Sequence, residues 1–232
     1  MIYITGDMHG KIDMNKFYMR NFPQQKGLTK QDIVIICGDF GGIWTNRIEN
    51  ERIIRILSNR PWTTLFCDGN HENFEYLYEY PEVDLFGGRA HQISSSIYHL
   101  MRGEVYTIEG STFFVMGGAA SHDRPHIQGL GWWEQELPSM QEYDHAMETL
   151  DKYHWQVDYV ITHCAPSSIQ QYFNRHFLID GLTSFLEDVK KKLTFKNWYF
   201  GHYHINQVLP DDRFQCLYRK IIPLEKESAA VE

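Results

Sequence analysis

Five short blocks of the chain carry residue types that bind metal ions: Gly6-Asp7-Met8-His9-Gly10, Gly38-Asp39-Phe40-Gly41-Gly42, Asp68-Gly69-Asn70-His71-Glu72, Thr162-His163 and Gly201-His202-Tyr203-His204. Neutral imidazole and carboxylate are the natural ligands of borderline and hard divalent ions, so the two Asp (Asp7, Asp39), Asn70 and the five His (His9, His71, His163, His202 and His204) of these blocks have the chemistry of a metal pair. A thiolate site does not suit the same blocks. Of Cys37, Cys67, Cys164 and Cys216 no two stand at CxxC spacing, and Cys164 alone adjoins a block, which disfavours a structural zinc knot. Taken singly, an Asp after a strand is usually a turn residue or cap, and a His is usually a hydrogen-bonded surface group. The metal reading comes from the recurrence of the pattern in five ordered blocks. An extended backbone through Gly201-His202-Tyr203-His204 would set both histidines on one face. Of the other histidines, His91, His99, His145, His154 and His176 read as ordinary residues, while His122 and His126 stay open.

Each block follows a short apolar run that must hold it in place. The runs Ile2–Thr5, Ile33–Cys37, Thr63–Cys67, Tyr159–Thr162 and Trp198–Phe200 are β-branched or aromatic and of strand length. In an α/β sheet, ligand sites lie outside the carboxyl ends of such strands. Helical spacing of apolar residues predicts helices over Arg47–Asn59, stopping before Pro61, and over Leu182–Leu193. A third, Ser139–His154, opens with Ser139 and has Glu142 at the capping-box position. The alternation predicts an α/β fold. From Asp84 to Met116 the pattern changes to short strands, Gln92–Ile93, Ile97–Leu100, Val105–Ile108 and Thr112–Met116, with Glu109-Gly110 as a turn, and a second, antiparallel sheet is expected there. Gly117–Pro138 is a long Gly- and Trp-rich loop, a kind that is usually functional or poorly ordered. No repeat, linker or low-complexity tract appears, which predicts one domain over residues 1–222 and a polar tail over 223–232.

Composition excludes several classes. Of 232 residues, 43% are apolar and 15% aromatic, enough for a substantial core and incompatible with a disordered chain. Lys and Arg number 22 against 30 Asp and Glu, a formal charge of −8, which argues against non-specific binding to nucleic acid or a membrane surface. No apolar stretch approaches the roughly 18 residues of a membrane span. Unpaired cysteines and an N-terminus that opens directly into a strand-like run predict free thiols, no secretory leader and a cytoplasmic setting.

The five blocks resemble those of the calcineurin-like metallophosphoesterase superfamily, and they cover the chain from Asp7 to His204. The resemblance implies a four-layer α/β/β/α sandwich with two central mixed sheets and a dinuclear metal site. It assigns Asp7, His9 and His204 to one ion, Asn70, His163 and His202 to the other, Asp39 as the bridge, and His71 as the catalytic histidine. Mn²⁺ is the leading candidate, with Fe and Zn²⁺ as alternatives. Two divalent ions about 3.5–4 Å apart would lower the pKa of a shared water, and the resulting hydroxide would attack phosphorus in line. Asn70 ligates without adding charge and lies where substrate phosphate would bind. His71 would protonate the leaving oxygen or hydrogen-bond the phosphate. The implied substrate is a small-molecule or nucleotide phosphate ester, mono- or diester.

One departure matters. Protein Ser/Thr phosphatases and diadenosine tetraphosphate hydrolases carry GDxxDRG in the second block, with an Arg that binds phosphate, whereas this chain reads Gly38-Asp39-Phe40-Gly41-Gly42-Ile43-Trp44. That weakens a protein-phosphatase reading. A catalytically silent scaffold is the other alternative, opposed by retention of the full ligand set and His71. In the long loop, Arg124 is the candidate replacement for the missing phosphate-binding Arg, or pairs with Asp123. Trp132 or Trp133 would stack on a base or line the pocket, or else anchor the loop to the core.

Overall fold

The structure, a computed structural model, describes residues 1–44, 46–121 and 132–224. The apolar runs are strands because both of their faces are covered. β1 (Ile2–Thr5), β2 (Ile33–Cys37) and β3 (Thr63–Cys67) are buried almost throughout and pair in parallel. β4 (Glu82–Leu85), β5 (Gly88–Ser94) and β6 (Ile97–Leu100) extend this sheet, and β13 (Ile221–Pro223) closes its other edge, in the order β13-β1-β2-β3-β6-β5-β4. The second sheet has the order β11-β12-β10-β9-β8-β7. It consists of β7 (Val105–Ile108), β8 (Ser111–Met116), β9 (Tyr159–Thr162), β10 (Asn197–Phe200), β11 (Gln207–Val208) and β12 (Phe214–Cys216). Both sheets mix parallel inner pairs with antiparallel edges.

Period-two alternation sorts the strand residues into layers. Ile4, Ile35, Leu65 and Cys67 of the first sheet meet Tyr106, Phe113, Val115 and Ile161 of the second in the central core. On the opposite face of the first sheet, Val34, Ile36 and Phe66 pack with Ile53 and Leu57 of α1 (Arg47–Ser58) and Phe74 and Leu77 of α2 (Phe74–Leu77). Phe114, Val160 and Trp198 of the second sheet pack on Leu150 of α3 (Met140–Lys152) and Leu182 and Leu186 of α5 (Gly181–Lys192), with α4 (Ser167–Phe173) alongside. The result is the four-layer α/β/β/α sandwich. The Ser139 hydroxyl accepts from Glu142 N (3.3 Å) and Glu142 accepts from Ser139 N (2.7 Å), so the capping box starts α3.

Two expectations are corrected. The strands from 84 to 116 do not form a sheet of their own: β4, β5 and β6 join the first sheet, where β6 runs parallel to β3, and only β7 and β8 enter the second. Nor does the tail begin at 223. Pro223 pairs with Tyr3, so the strand runs one residue further, and buried Leu224 is held beside it by its N–H to Ile2 O (2.8 Å). Pro is admissible there because β13 is an edge strand.

Candidate metal centre

The loops that follow β1, β2, β3, β9 and β10 converge on one rim of the sandwich. Asp7, His9, Asp39 and His204 each offer a ligand atom, and these atoms all lie within 4.8 Å of one another. His9 Nε2 lies 3.2 Å from Asp39 Oδ2, and His204 Nε2 lies 3.1 Å from Asp7 Oδ2. On the other side of Asp39, His163 Nε2 is 3.4 Å from Asp39 Oδ2 and 3.2 Å from Asn70 Oδ1. The His202 ring lies 5.0 Å from that of His163. Asp39 Oδ2 therefore sits between two groups of ligands. Its other oxygen accepts the backbone N–H of His71 at 2.9 Å, as Asp7 Oδ1 accepts that of His202 at 2.8 Å.

The backbone is bent to make this possible. His9, Asp39, His202 and His204 all have positive φ, between 46° and 65°, a left-handed conformation that non-glycine residues seldom adopt. The extended segment expected at Gly201–His204 is thus replaced by left-handed turns at residues 202 and 204. Both rings still reach the rim, but His202 goes to His163 and His204 to His9, whose ring is 4.9 Å away. Gly38 and Gly201 show why glycine is needed in these loops. A Cβ on Gly38 (φ +85°) would lie 2.1 Å from His163 Nδ1, and one on Gly201 would lie 2.0 Å from Asp7 Oδ1.

Partners behind the ligands set their tautomers. His9 Nδ1 pairs with Asp13 Oδ2 (2.8 Å) and His163 Nδ1 with the Cys37 carbonyl (2.9 Å), which turns each Nε2 toward Asp39. Asn70 Nδ2 donates to Ser121 Oγ (3.2 Å), so its Oδ1 faces His163. Burial opposes charge on His9 and His163, but Asp39 overrides it, lifting the imidazoles to about 9 and about 10. Burial likewise opposes the Asp39 carboxylate, yet His163 and His9 hold it well below the usual range.

Without a metal, then, protons on histidines balance the buried carboxylates, and a divalent ion would displace them. The spacing fits such an ion. Two atoms ligated at about 2.1 Å and roughly 90–110° apart are about 3.0–3.4 Å from each other, the range of the His–Asp contacts here. Asp7 Oδ2 is buried and faces His204 Nε2 at 3.1 Å, a carboxylate–imidazole pair placed to share an ion.

Several residues of this centre were not legible as such. Asp13 orients His9, and Tyr218 donates to Asp13 Oδ1 (3.0 Å) while its ring stacks on His204 at 4.8 Å. Buried Lys16 donates to the Asp7 carbonyl (2.6 Å). Glu72, wholly buried, accepts from Phe40 N (2.6 Å) and Gly69 N (2.6 Å), tying the second and third blocks together. Trp44 packs against His71 with ring centroids 4.7 Å apart. The only advance signals were the i+4 spacing of Asp13 from His9 and the position of Glu72 inside the third block. His71 stands beside the cluster, its ring 5.6 Å from His9. Arg124, His122 and His126 lie outside the described residues. Trp133 is buried in the core on the α1 side, so it anchors its segment and does not line a binding surface.

Residues 1–206 match the calcineurin-like phosphoesterases. The chain belongs to that family. The family is one of metal-dependent phosphoesterases, and the Asp7, His9, Asp39 and His204 cluster is where such an ion could be held. It is 24% identical over 216 residues to lariat debranching enzyme A of Xenopus laevis, a match covering 82% of this chain and 37% of that protein, so the chain spans little more than a third of that relative's length. The structure of TT1561 from Thermus thermophilus superposes with a TM-score of 0.56 at 12% identity, covering 95% of this chain and 96% of that one, a likeness of fold. Among the described residues no helix is long and apolar enough to cross a membrane. All four cysteines are buried and unpaired, and Cys164 packs into the core beside α5.

Proposed function

We propose that this phosphoesterase uses two divalent ions to hydrolyse a phosphomonoester or phosphodiester of a small molecule. Asp7, His9 and His204 would hold one ion and Asn70, His163 and His202 the other, with Asp39 shared between them. The observation that carries this reading is the placement of Asp39 Oδ2, 3.2 Å from His9 Nε2 and 3.4 Å from His163 Nε2, each imidazole turned toward it by a partner on Nδ1. When bound, the ions supply a water nucleophile active near neutral pH and the positive charge that phosphoryl transfer demands.

The chain's own residues do the rest. Asn70 adds an oxygen ligand without charge, held in orientation by Ser121. His71 is fixed through its backbone N–H to Asp39 and its ring against Trp44, which puts an imidazole beside the cluster without spending it on the metals. From there it protonates the leaving oxygen. Mn²⁺, Fe and Zn²⁺ all suit this His/Asp/Asn donor set.

The test is chelation followed by add-back of each metal, with bis-p-nitrophenyl phosphate and p-nitrophenyl phosphate as substrates and elemental analysis of the active form. The expected result is no activity after chelation and recovery with two equivalents of Mn²⁺ or another divalent ion. Full activity in metal-free protein rules the reading out.

A further inference from the structure

A cavity of about 390 Å³ opens next to the metal centre, and His202 lines both. One side of it is apolar and aromatic, formed by Phe177, Leu178, Ile179 and Tyr203. Phe177 and Tyr203 face each other with ring centroids 5.5 Å apart, and the Tyr203 ring lies 5.1 Å from that of His202. At the rim, Leu178 is 82% exposed and Ile179 54% exposed, two aliphatic side chains left in water beside a catalytic centre. The wall is braced. Tyr203 Oη donates to Gln170 Oε1 (3.3 Å) and accepts from Ala165 N (3.2 Å), and buried Gln170 donates through Nε2 to the Leu178 carbonyl (2.9 Å). The segment carrying Leu178 and Ile179 is thereby tied to the floor of the cavity.

Charge is as informative as shape. Among the described residues that line the cavity there is no Lys or Arg, and the one carboxylate is Asp180. Asp180 Oδ1 accepts from Thr183 N (2.8 Å) and Thr183 Oγ1 (3.1 Å), capping α5, so a negative charge and one N–H already spoken for stand at the helix end that would otherwise attract an anion. Among the described residues, a second phosphate placed here would meet a carboxylate and no cation.

We propose that this cavity receives the organic group of the ester, and that the preferred group is an uncharged ring system and not one bearing a further phosphate. The assignment rests on the phosphoesterase reading, since it places the phosphate on the His202 side. Leu178 and Ile179 then close over the ring, with Tyr203 and Phe177 beneath it.

Phosphonates, which resist hydrolysis, test binding apart from turnover. Metal-loaded protein is titrated calorimetrically with methylphosphonate, 1-naphthylmethylphosphonate and 3-phosphonopropionate. The naphthyl compound should bind about tenfold tighter than the methyl compound, and the anionic one no tighter than methyl. Leu178→Arg, at an exposed position that the fold does not depend on, should shrink the naphthyl advantage to about twofold and strengthen binding of 3-phosphonopropionate. Equal binding of all three by the wild type, or an order unchanged in Leu178→Arg, overturns the assignment. Hydrolysis of p-nitrophenyl phosphate and of bis-p-nitrophenyl phosphate by the same preparations separates the two readings. Turnover with all three phosphonates bound alike removes the cavity assignment alone. The expected binding order without turnover supports the cavity and removes the phosphoesterase reading.

Discussion

Asp39 and Asp68 follow neighbouring strands, β2 and β3, and both are 1% exposed, yet their surroundings differ in kind. Asp68 has its own cation: Arg102 donates to Oδ2 through Nε (2.9 Å) and Nη2 (2.5 Å), and His99 Nε2 lies 3.0 Å from Oδ1. Arg102 also donates to the Gln135 carbonyl (2.7 Å), so this ion pair joins three segments. Asp39 is faced by histidines and by one backbone N–H. Both carboxylates are held below the usual range against the cost of burial, Asp68 by a permanent guanidinium and Asp39 by imidazoles that must be protonated to do it. A permanent cation makes a closed structural unit. Titratable partners leave a site where an ion can replace the protons.

The comparison breaks most sharply at Asp39. Asp39→Asn removes the oxygen shared by both ligand groups, so metal content and turnover should fall together to background while the far-UV circular dichroism stays native. Elemental analysis and activity on one preparation decide it, and a fully active variant retaining two metals removes Asp39 as the shared ligand. His71 sharpens the picture because it adjoins both regions without belonging to either. His71→Ala should lower turnover by about 10²–10⁴-fold, the usual contribution of a positioned proton donor, with metal content near wild type. Alkyl esters should suffer more than p-nitrophenyl esters, whose leaving group needs little protonation. Equal losses for both, with metal intact, would reassign His71 to phosphate binding, and loss of metal in step with activity would make it a ligand or a support.

Sequence separates these two regions only in part, for a physical reason. The strand runs stand out because a strand buried on both faces must be apolar throughout, and the site blocks stand out because their His, Asp and Asn follow such runs. β13 escapes notice because an edge strand carrying Pro223 has no such signature and exists only by pairing with Tyr3. Asp68 and Asp39 look alike in sequence. What distinguishes them is Arg102, 34 residues from Asp68 and adjacent only because β6 pairs with β3. Tyr218 is likewise 205 residues from Asp13, and nothing local marks it as a support for His9 and His204. The left-handed turns at His202 and His204 are imposed by the contacts of Gly201 with Asp7 and of His202 N with Asp7 Oδ1, against the extended form that residue types alone favour.

The closed unit should fail in the opposite way from Asp39. Arg102→Met leaves buried Asp68 without its guanidinium, with only the His99 contact remaining; breaking such a buried pair typically costs about 3–5 kcal/mol, so the urea midpoint should drop strongly. The metal centre keeps every ligand, and whatever fraction remains folded should bind two ions. An unchanged midpoint would mean that Asp68 does not depend on Arg102.

The smallest effect concerns the outer end of the same unit. His91 Nδ1 lies 3.0 Å from His99 Nδ1, and the two rings stack with centroids 5.3 Å apart. Tyr78 lies against His91, Glu82 is its cross-strand partner on β4, and Arg89, Arg102, Glu142 and His145 share the same pocket. Burial first, then the neighbouring His99 and Arg89, push the His91 imidazole down to about 4, with Asp68 opposing. An unfolded histidine titrates near 6.5. Between pH 6.5 and 4 the unfolded chain therefore binds more protons than the folded one, so stability falls as the medium is acidified through that window, and His91 contributes no pH dependence above it. His91→Gln removes the titration while keeping a hydrogen-bonding side chain. With chelator present, so that metal release does not intrude, melting temperatures of wild type and His91→Gln should converge as pH falls from 7 to 4.5, the wild type losing more. Curves that stay parallel over that range would show that His91 is not part of the acid sensitivity, and would leave its burial beside His99 without a consequence for stability.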